Sequence, residues 1–123
     1  SFSLHNYVRP AEKVMEIVGH MLKSAYKTTL LAATDHSIRY PSRSGSRKCV
    51  LTLIGGGVFL NPLPLVCGAI EANEELIVGS GLDVYLQCYN RQTTEEVKGL
   101  LTGLVTRTGG SFIEPTLRDG PLN

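Results

Sequence analysis

Gly55, Gly56 and Gly57 stand in a row at the end of the apolar run Cys49–Ile54, and Asn61 and Pro62 come soon after. Glycine lets a main chain bend freely and approach a ligand closely. Asn is a favoured helix N-cap and Pro a favoured first helical residue, so a helix is expected to open at Pro62. Strand, glycine turn and helix start then bring unpaired backbone N–H groups and the positive end of a helix dipole to one point, which suits an anion, most often a phosphate. Gly55, Gly56, Gly57, Val58, Phe59 and Asn61 are therefore the candidate ligand-binding residues. The same glycines also suit a tight turn that binds nothing.

Other residue types with chemical capacity form weaker patterns. Glu71, Glu74 and Glu75 lie close together, but no partner for acid–base work is evident and a solvated helix face accounts for them. His5, His20 and His36 lack metal-ligand spacing, and His36 beside Asp35 does not make a catalytic pair. Cys49, Cys67 and Cys88 are odd in number, widely spaced and set in apolar segments, which points to buried reduced thiols in a cytoplasmic or nuclear protein. Neither a cysteine nucleophile with its base nor a Ser-His-Asp set is present in pattern. Catalytic residues stay unassigned, and no metal or cofactor is implied. Arg43, Arg47 and Lys48 sit in the Pro/Ser/Gly-rich stretch Pro41–Lys48, a loop by composition, whose cations are placed either to steer an anionic ligand or simply to keep a connection solvated.

The elements that must position these residues follow from periodicity. Ser1–Arg9 has no clear period and reads as a surface lead-in. Pro10 fits a first helical turn, and Val14, Ile17, Val18, Met21 and Leu22 follow the spacing of a helix with one apolar face. Ser24–Tyr40 favours a second helix, continuous with the first or separate, with a short strand at Thr28–Thr29 as the alternative. Cys49–Ile54 suits a strand buried on both faces. Leu63, Val66, Cys67, Ile70 and Ile77 form the stripe of a helix from about Pro62 to Val78, stopped by Gly79, Ser80 and Gly81. Leu82–Tyr89 alternates as a half-exposed strand, and the unit from Cys49 to Tyr89 has the length of a right-handed βαβ crossover with parallel strands. Thr93 or Thr94 caps a last helix that carries Val97, Leu100, Leu101 and Leu104 and ends at Gly109 and Gly110. Ser111–Asn123, with two prolines, reads as a loosely packed tail.

The 123 residues suffice for a single core. A formal net charge of +1, from 12 basic and 11 acidic residues, gives no field to gather nucleic acid or an anionic membrane, and nucleic acid is not an expected partner. No apolar run reaches the roughly 20 residues of a membrane-spanning helix, so no membrane partner is expected. The fold class is α/β, a parallel or mixed sheet flanked by helices. Only two strands are evident, one apolar throughout, and a doubly covered parallel strand needs neighbours. With Ser1 in place of an initiating Met, this leads us to expect the C-terminal part of a larger domain over residues 1–110, with 111–123 as its tail. A preceding segment or a second chain would complete the sheet.

The strand with GGGVFLNP, the helix after it and the strand ending in YLQCYNRQTTEEV together resemble the second half of a macro domain, the three-layer ADP-ribose-binding α/β fold shared with poly(ADP-ribose) glycohydrolases. The resemblance spans roughly Met21–Val105. It implies that Gly55–Phe59 wraps a diphosphate with backbone amides, that Phe59 packs against the distal ribose, and that Tyr89, with Asn90 beside it, flanks the adenine. Ordinary packing is the alternative for both aromatics. Leu60 stands where the family usually has a small residue, and the family's adenine-reading acid and catalytic segment belong to its first half. Gly55–Gly57 run into VFLNPL, not the QEE of the classical glycohydrolases, and Gln92 with Glu95 and Glu96 is not that motif either. The partner so implied is ADP-ribose, a related nucleotide diphosphate, or an ADP-ribosylated protein. The alternatives are an ADP-ribosyl glycohydrolase with its catalytic residues elsewhere, and an interaction module that keeps the fold without the site.

Overall fold

The computed structural model describes residues 4–53, 62–88 and 91–115, with side chains from residue 11 onward. Its elements run in the order α1 (Leu4–Arg39), β1 (Lys48–Thr52), α2 (Leu63–Glu71), α3 (Glu74–Ser80), β2 (Asp83–Gln87), α4 (Arg91–Thr108) and β3 (Ser111–Ile113). The strands form one sheet in the order β1-β2-β3, parallel throughout, with Cys49 opposite Val84, Leu51 opposite Leu86, and Leu86 opposite Phe112. An α/β fold with helices against a parallel sheet therefore forms.

The first helix is longer than its sequence suggests. A single helix of 36 residues covers both proposed helices and begins at Leu4, inside the segment read as a lead-in, so Pro10 lies within it and not in its first turn. Thr28 and Thr29 open no strand: both lie inside this helix, where each hydroxyl donates to a carbonyl one turn back, on Ser24 and Ala25. The buried face differs in part. Leu22 of the expected stripe is buried and Val18 packs against the core, joined by Tyr26 and Leu30, whereas Val14, Ile17 and Met21 are exposed. Tyr26 fixes the helix to the sheet by donating its hydroxyl to the Thr52 carbonyl at 2.7 Å.

Among the described residues β1 is covered on one face, not two. Cys49 and Leu51 point into the core while Val50 is 44% exposed. The same alternation runs through β2, where Val84 and Leu86 are buried between exposed Asp83 and Gln87. The buried strand residues join Tyr26, Leu30, Val66, Ile70, Val97 and Leu101 in one apolar cluster. The described residues thus build two layers, helices and sheet.

The single helix expected from Pro62 to Val78 is two. Asn73 interrupts it: buried, it donates its amide to the carbonyls of Lys23 in α1 and Ala69 in α2. Gly81 then ends α3 in the left-handed conformation, as the glycines there suggested. After α4, Gly109 has φ +72°, and a Cβ on Gly110 would lie 2.8 Å from the Val84 carbonyl. One glycine permits the turn and the next permits the approach, which brings Ser111–Ile113 alongside β2. These residues form a third strand where the sequence suggested only a tail, and the Cys88 amide extends their pairing to the Ile113 carbonyl at 2.8 Å. They are too few to show an alternating pattern.

Candidate functional site

Parallel strands end at a common edge, and in open α/β sheets ligands collect beyond the carboxyl ends. β1 and β2 are neighbours there, with Thr52 opposite Gln87. The chain leaves β1 through buried Leu53 and returns at Pro62; it leaves β2 through buried Cys88 and returns at Arg91. The proposed ligand residues Gly55, Gly56, Gly57, Val58, Phe59 and Asn61, with Tyr89 and Asn90, all lie outside the described residues. What the topology establishes is that both segments connect to adjacent strand ends at one edge.

The helix opening at that edge is sparser in donors than expected. Pro62, with φ −59° and ψ 136°, is the N-cap, and Leu63 is the first helical residue. Among the described residues no side chain caps α2. Pro62 and Pro64 carry no N–H, and the amides of Leu65 and Val66 both donate to the Pro62 carbonyl, at 3.0 and 3.2 Å. In the first turn only the Leu63 amide has no partner among the described residues. The positive dipole end remains, with the Leu63 amide beside it, but several free N–H groups do not, so further donors to an anion would have to come from outside the first turn of α2.

The loop cations are at the other edge. Arg47 donates from Nε and a terminal guanidinium nitrogen to the Gly81 carbonyl, at 3.0 and 2.7 Å, and its own carbonyl accepts from the Asp83 amide. Lys48 opens β1 and rests over the Tyr85 ring, and Arg43 stacks over Tyr40. All three lie before the amino end of β1 or at it. They are structural there and do not flank the carboxyl edge. A cation that does follow the carboxyl end of β2 is Arg91, the exposed first residue of α4, which periodicity alone did not single out.

Two of the three clustered acids have a partner after all. Arg107 on α4 reaches Glu71 at 3.0 Å and Glu74 at 2.9 Å, joining α4 to the α2–α3 corner. Hydrogen bonding from Arg107 holds the Glu74 carboxyl below its ordinary value, and the two acids raise Arg107 in turn. A saturated, exposed ion cluster is a tie between helices, not an acid–base pair. Asp35 pairs with Arg39 and the His36 ring packs on Tyr40, which accounts for that neighbourhood without catalysis.

Cys49, Cys67 and Cys88 are free and buried. Burial raises all three thiols, Cys67 to about 11 with Glu96 and neighbouring groups adding to it. A thiol so raised is protonated near neutrality and is a poor nucleophile. Among the described residues no group of His, Cys, Asp and Glu is arranged to hold a metal ion. No described helix is long and apolar enough to cross a membrane. Comparison of the chain with protein-family models, with curated proteins and with solved structures returned no match.

Proposed function

We propose that this chain contributes the diphosphate-binding edge of a site for ADP-ribose or a related nucleotide diphosphate. The observation that carries the reading is the parallel pairing of β1 with β2, which ties the glycine-rich segment and the Tyr89–Asn90 segment to neighbouring strand ends. Gly55–Gly57 and the residues to Phe59 supply backbone amides to the phosphates. Phe59 and Tyr89 supply faces for the ribose and adenine, as the macro-domain resemblance implies. The α2 dipole adds about 0.3 to 1 kcal/mol of favourable field, and Arg91 places a positive charge at the same edge. Free, buried cysteines suit a reducing compartment, the cytoplasm or nucleus. Hydrolysis of an ADP-ribosyl bond would draw its acid from residues outside this chain.

Thermal unfolding with and without ADP-ribose tests the reading. The native chain is expected to gain stability with ligand, and Gly57→Val is expected to abolish that gain while unfolding at a similar temperature without ligand. A ligand-induced shift unchanged by Gly57→Val removes the glycine segment from the site, and no shift in either protein removes the nucleotide. Calorimetric binding without turnover of ADP-ribosylated protein marks a reader; turnover marks an eraser.

The interaction-module reading also has an observation in its favour. Val14, Ile17, Met21, Leu31 and Ile38 are exposed along α1, and Val50 and Ile113 on the sheet.

A further inference from the structure

Three hydroxyls in the chain stand three residues after an arginine: Ser42 after Arg39, Ser46 after Arg43, and Thr94 after Arg91. The structure separates them. Ser46 is 7% exposed and Thr94, inside α4, is 3% exposed, whereas Ser42 lies open to solvent. Ser46 also stands beside Arg47, which is held on the Gly81 carbonyl, and just before β1 opens. The turn that carries Ser42 is closed by the Arg43 amide, which donates to the Tyr40 carbonyl at 3.1 Å. Drawing Tyr40–Arg43 out into an extended segment therefore costs little and leaves α1 and β1 in place.

Ser42 shares an open hollow of about 390 Å³ with Arg39, Tyr40, Pro41 and Arg43. Both arginines keep donors for an anion there. Asp35 meets Arg39 through Nε at 3.0 Å, in a pair exposed on both sides. The Arg43 guanidinium lies 4.5 Å from the centre of the Tyr40 ring, and stacking of this kind leaves its in-plane N–H groups for hydrogen bonds.

We propose that Ser42 is a phosphorylation site, read by a serine kinase through Arg39 upstream of it, and that the phosphate it gains is held by Arg39 and Arg43. A cation at a fixed distance from the hydroxyl is the kind of charge pattern by which kinases select substrates. In the transfer the Ser42 oxygen bonds to the γ-phosphorus of ATP as the bond to the β-phosphate oxygen breaks; ADP leaves, and the hydroxyl proton passes to the kinase's catalytic carboxylate. The product carries a charge of about −1.5 to −2 at neutral pH. Against it stand Asp35 and the negative end of α1. In its favour are two guanidiniums in the same hollow, and Asp35 competes for one of them only through an exposed, salt-screened pair. The cations prevail, so Arg39 is drawn from Asp35 toward the phosphate and the connection from α1 to β1 is fastened at its start. The hollow precedes the amino end of β1, so the proposal stands apart from the nucleotide reading.

The test incubates the whole chain with ATP and an arginine-directed serine kinase and locates the phosphate by fragment mass spectrometry. Phosphate on Ser42 is expected. Ser42→Ala is expected to take up none, and Arg39→Ala to slow transfer about tenfold or more, as loss of a charged contact does, with the helical circular dichroism unchanged in both. Phosphorus NMR then follows the titration of the bound phosphate. Its second pKa is expected below the usual value of about 6 in the native chain and back toward that value in Arg43→Ala. No uptake, uptake that survives Ser42→Ala, a phosphate on Ser44 or Ser46 instead, or an equal rate with Arg39→Ala overturns the site. A second pKa unmoved by Arg43→Ala overturns the hold of the arginines on the phosphate.

Discussion

Arg107 shows how little of an ion cluster is visible before the helices are in place. Three glutamates within five residues look alike in sequence, yet two of them converge on a guanidinium more than 30 residues away. All three partners are substantially exposed, so the cluster is screened by salt and contributes modestly. Its pH dependence has a definite sign. The folded Glu74 value lies below its ordinary value of 4.5, so the contribution is present above about that pH and is lost as pH falls through the lower folded value. Comparing the unfolding temperatures of the native chain and Arg107→Ala from neutral to acid pH should show a gap at neutral pH that closes on acidification. A gap that grows toward acid would contradict the assignment. The cysteines could be read from sequence because apolar neighbours and odd number need no partner to interpret. Arg47 could not, since its role depends on the Gly81 carbonyl across the start of the β1–β2 pair.

Among the elements, Asn73 does most to set the shape of the helical layer. It is buried at 4% exposure and ties α1 to α2 through two carbonyl acceptors. Asn73→Ala should lose about 2 kcal/mol, since one buried and one part-buried acceptor lose their donor; denaturant unfolding would measure this, and a change near zero would mean the two carbonyls find other donors. The local patterns that could be read directly were those closed by short-range rules: the βαβ length, the alternation of β2, the glycine stop after α3. The patterns that misled depend on what lies opposite. Cys49–Ile54 is apolar enough to suggest double burial, but Val50 is 44% exposed. Val14, Ile17 and Met21 obey helical spacing, but obedience to a period does not say which apolar stripe meets the core when a helix carries two. β3 escaped notice because three residues are too short to show a period, and its place depends on Gly110 fitting against the Val84 carbonyl. The candidate site could be read in the sequence only as a motif, and its residues lie outside the described ones; what the structure adds is that the segments carrying them follow the adjacent ends of β1 and β2. The loss of helix donors to Pro62 and Pro64 was also present in the sequence, as two prolines flanking Leu63.

Over the whole molecule, the described residues leave one sheet face uncovered, with Val50, Tyr85 and Ile113 among its apolar members and Lys48 resting over Tyr85. A parallel sheet is ordinarily covered on both faces. In this chain alone Val50→Lys should change stability by no more than about 0.5 kcal/mol, the usual range for an exposed substitution. A loss several times larger on chemical unfolding would mean that the face is covered. The three strands lie side by side in the order in which they occur along the chain, each crossover adding its strand to the outer side of the last. No strand has to be threaded between two that are already paired. As a ribosome releases the chain, β1 with α1 can serve as the template for β2, and β2 for β3, so growth of the polypeptide and growth of the sheet proceed in the same direction.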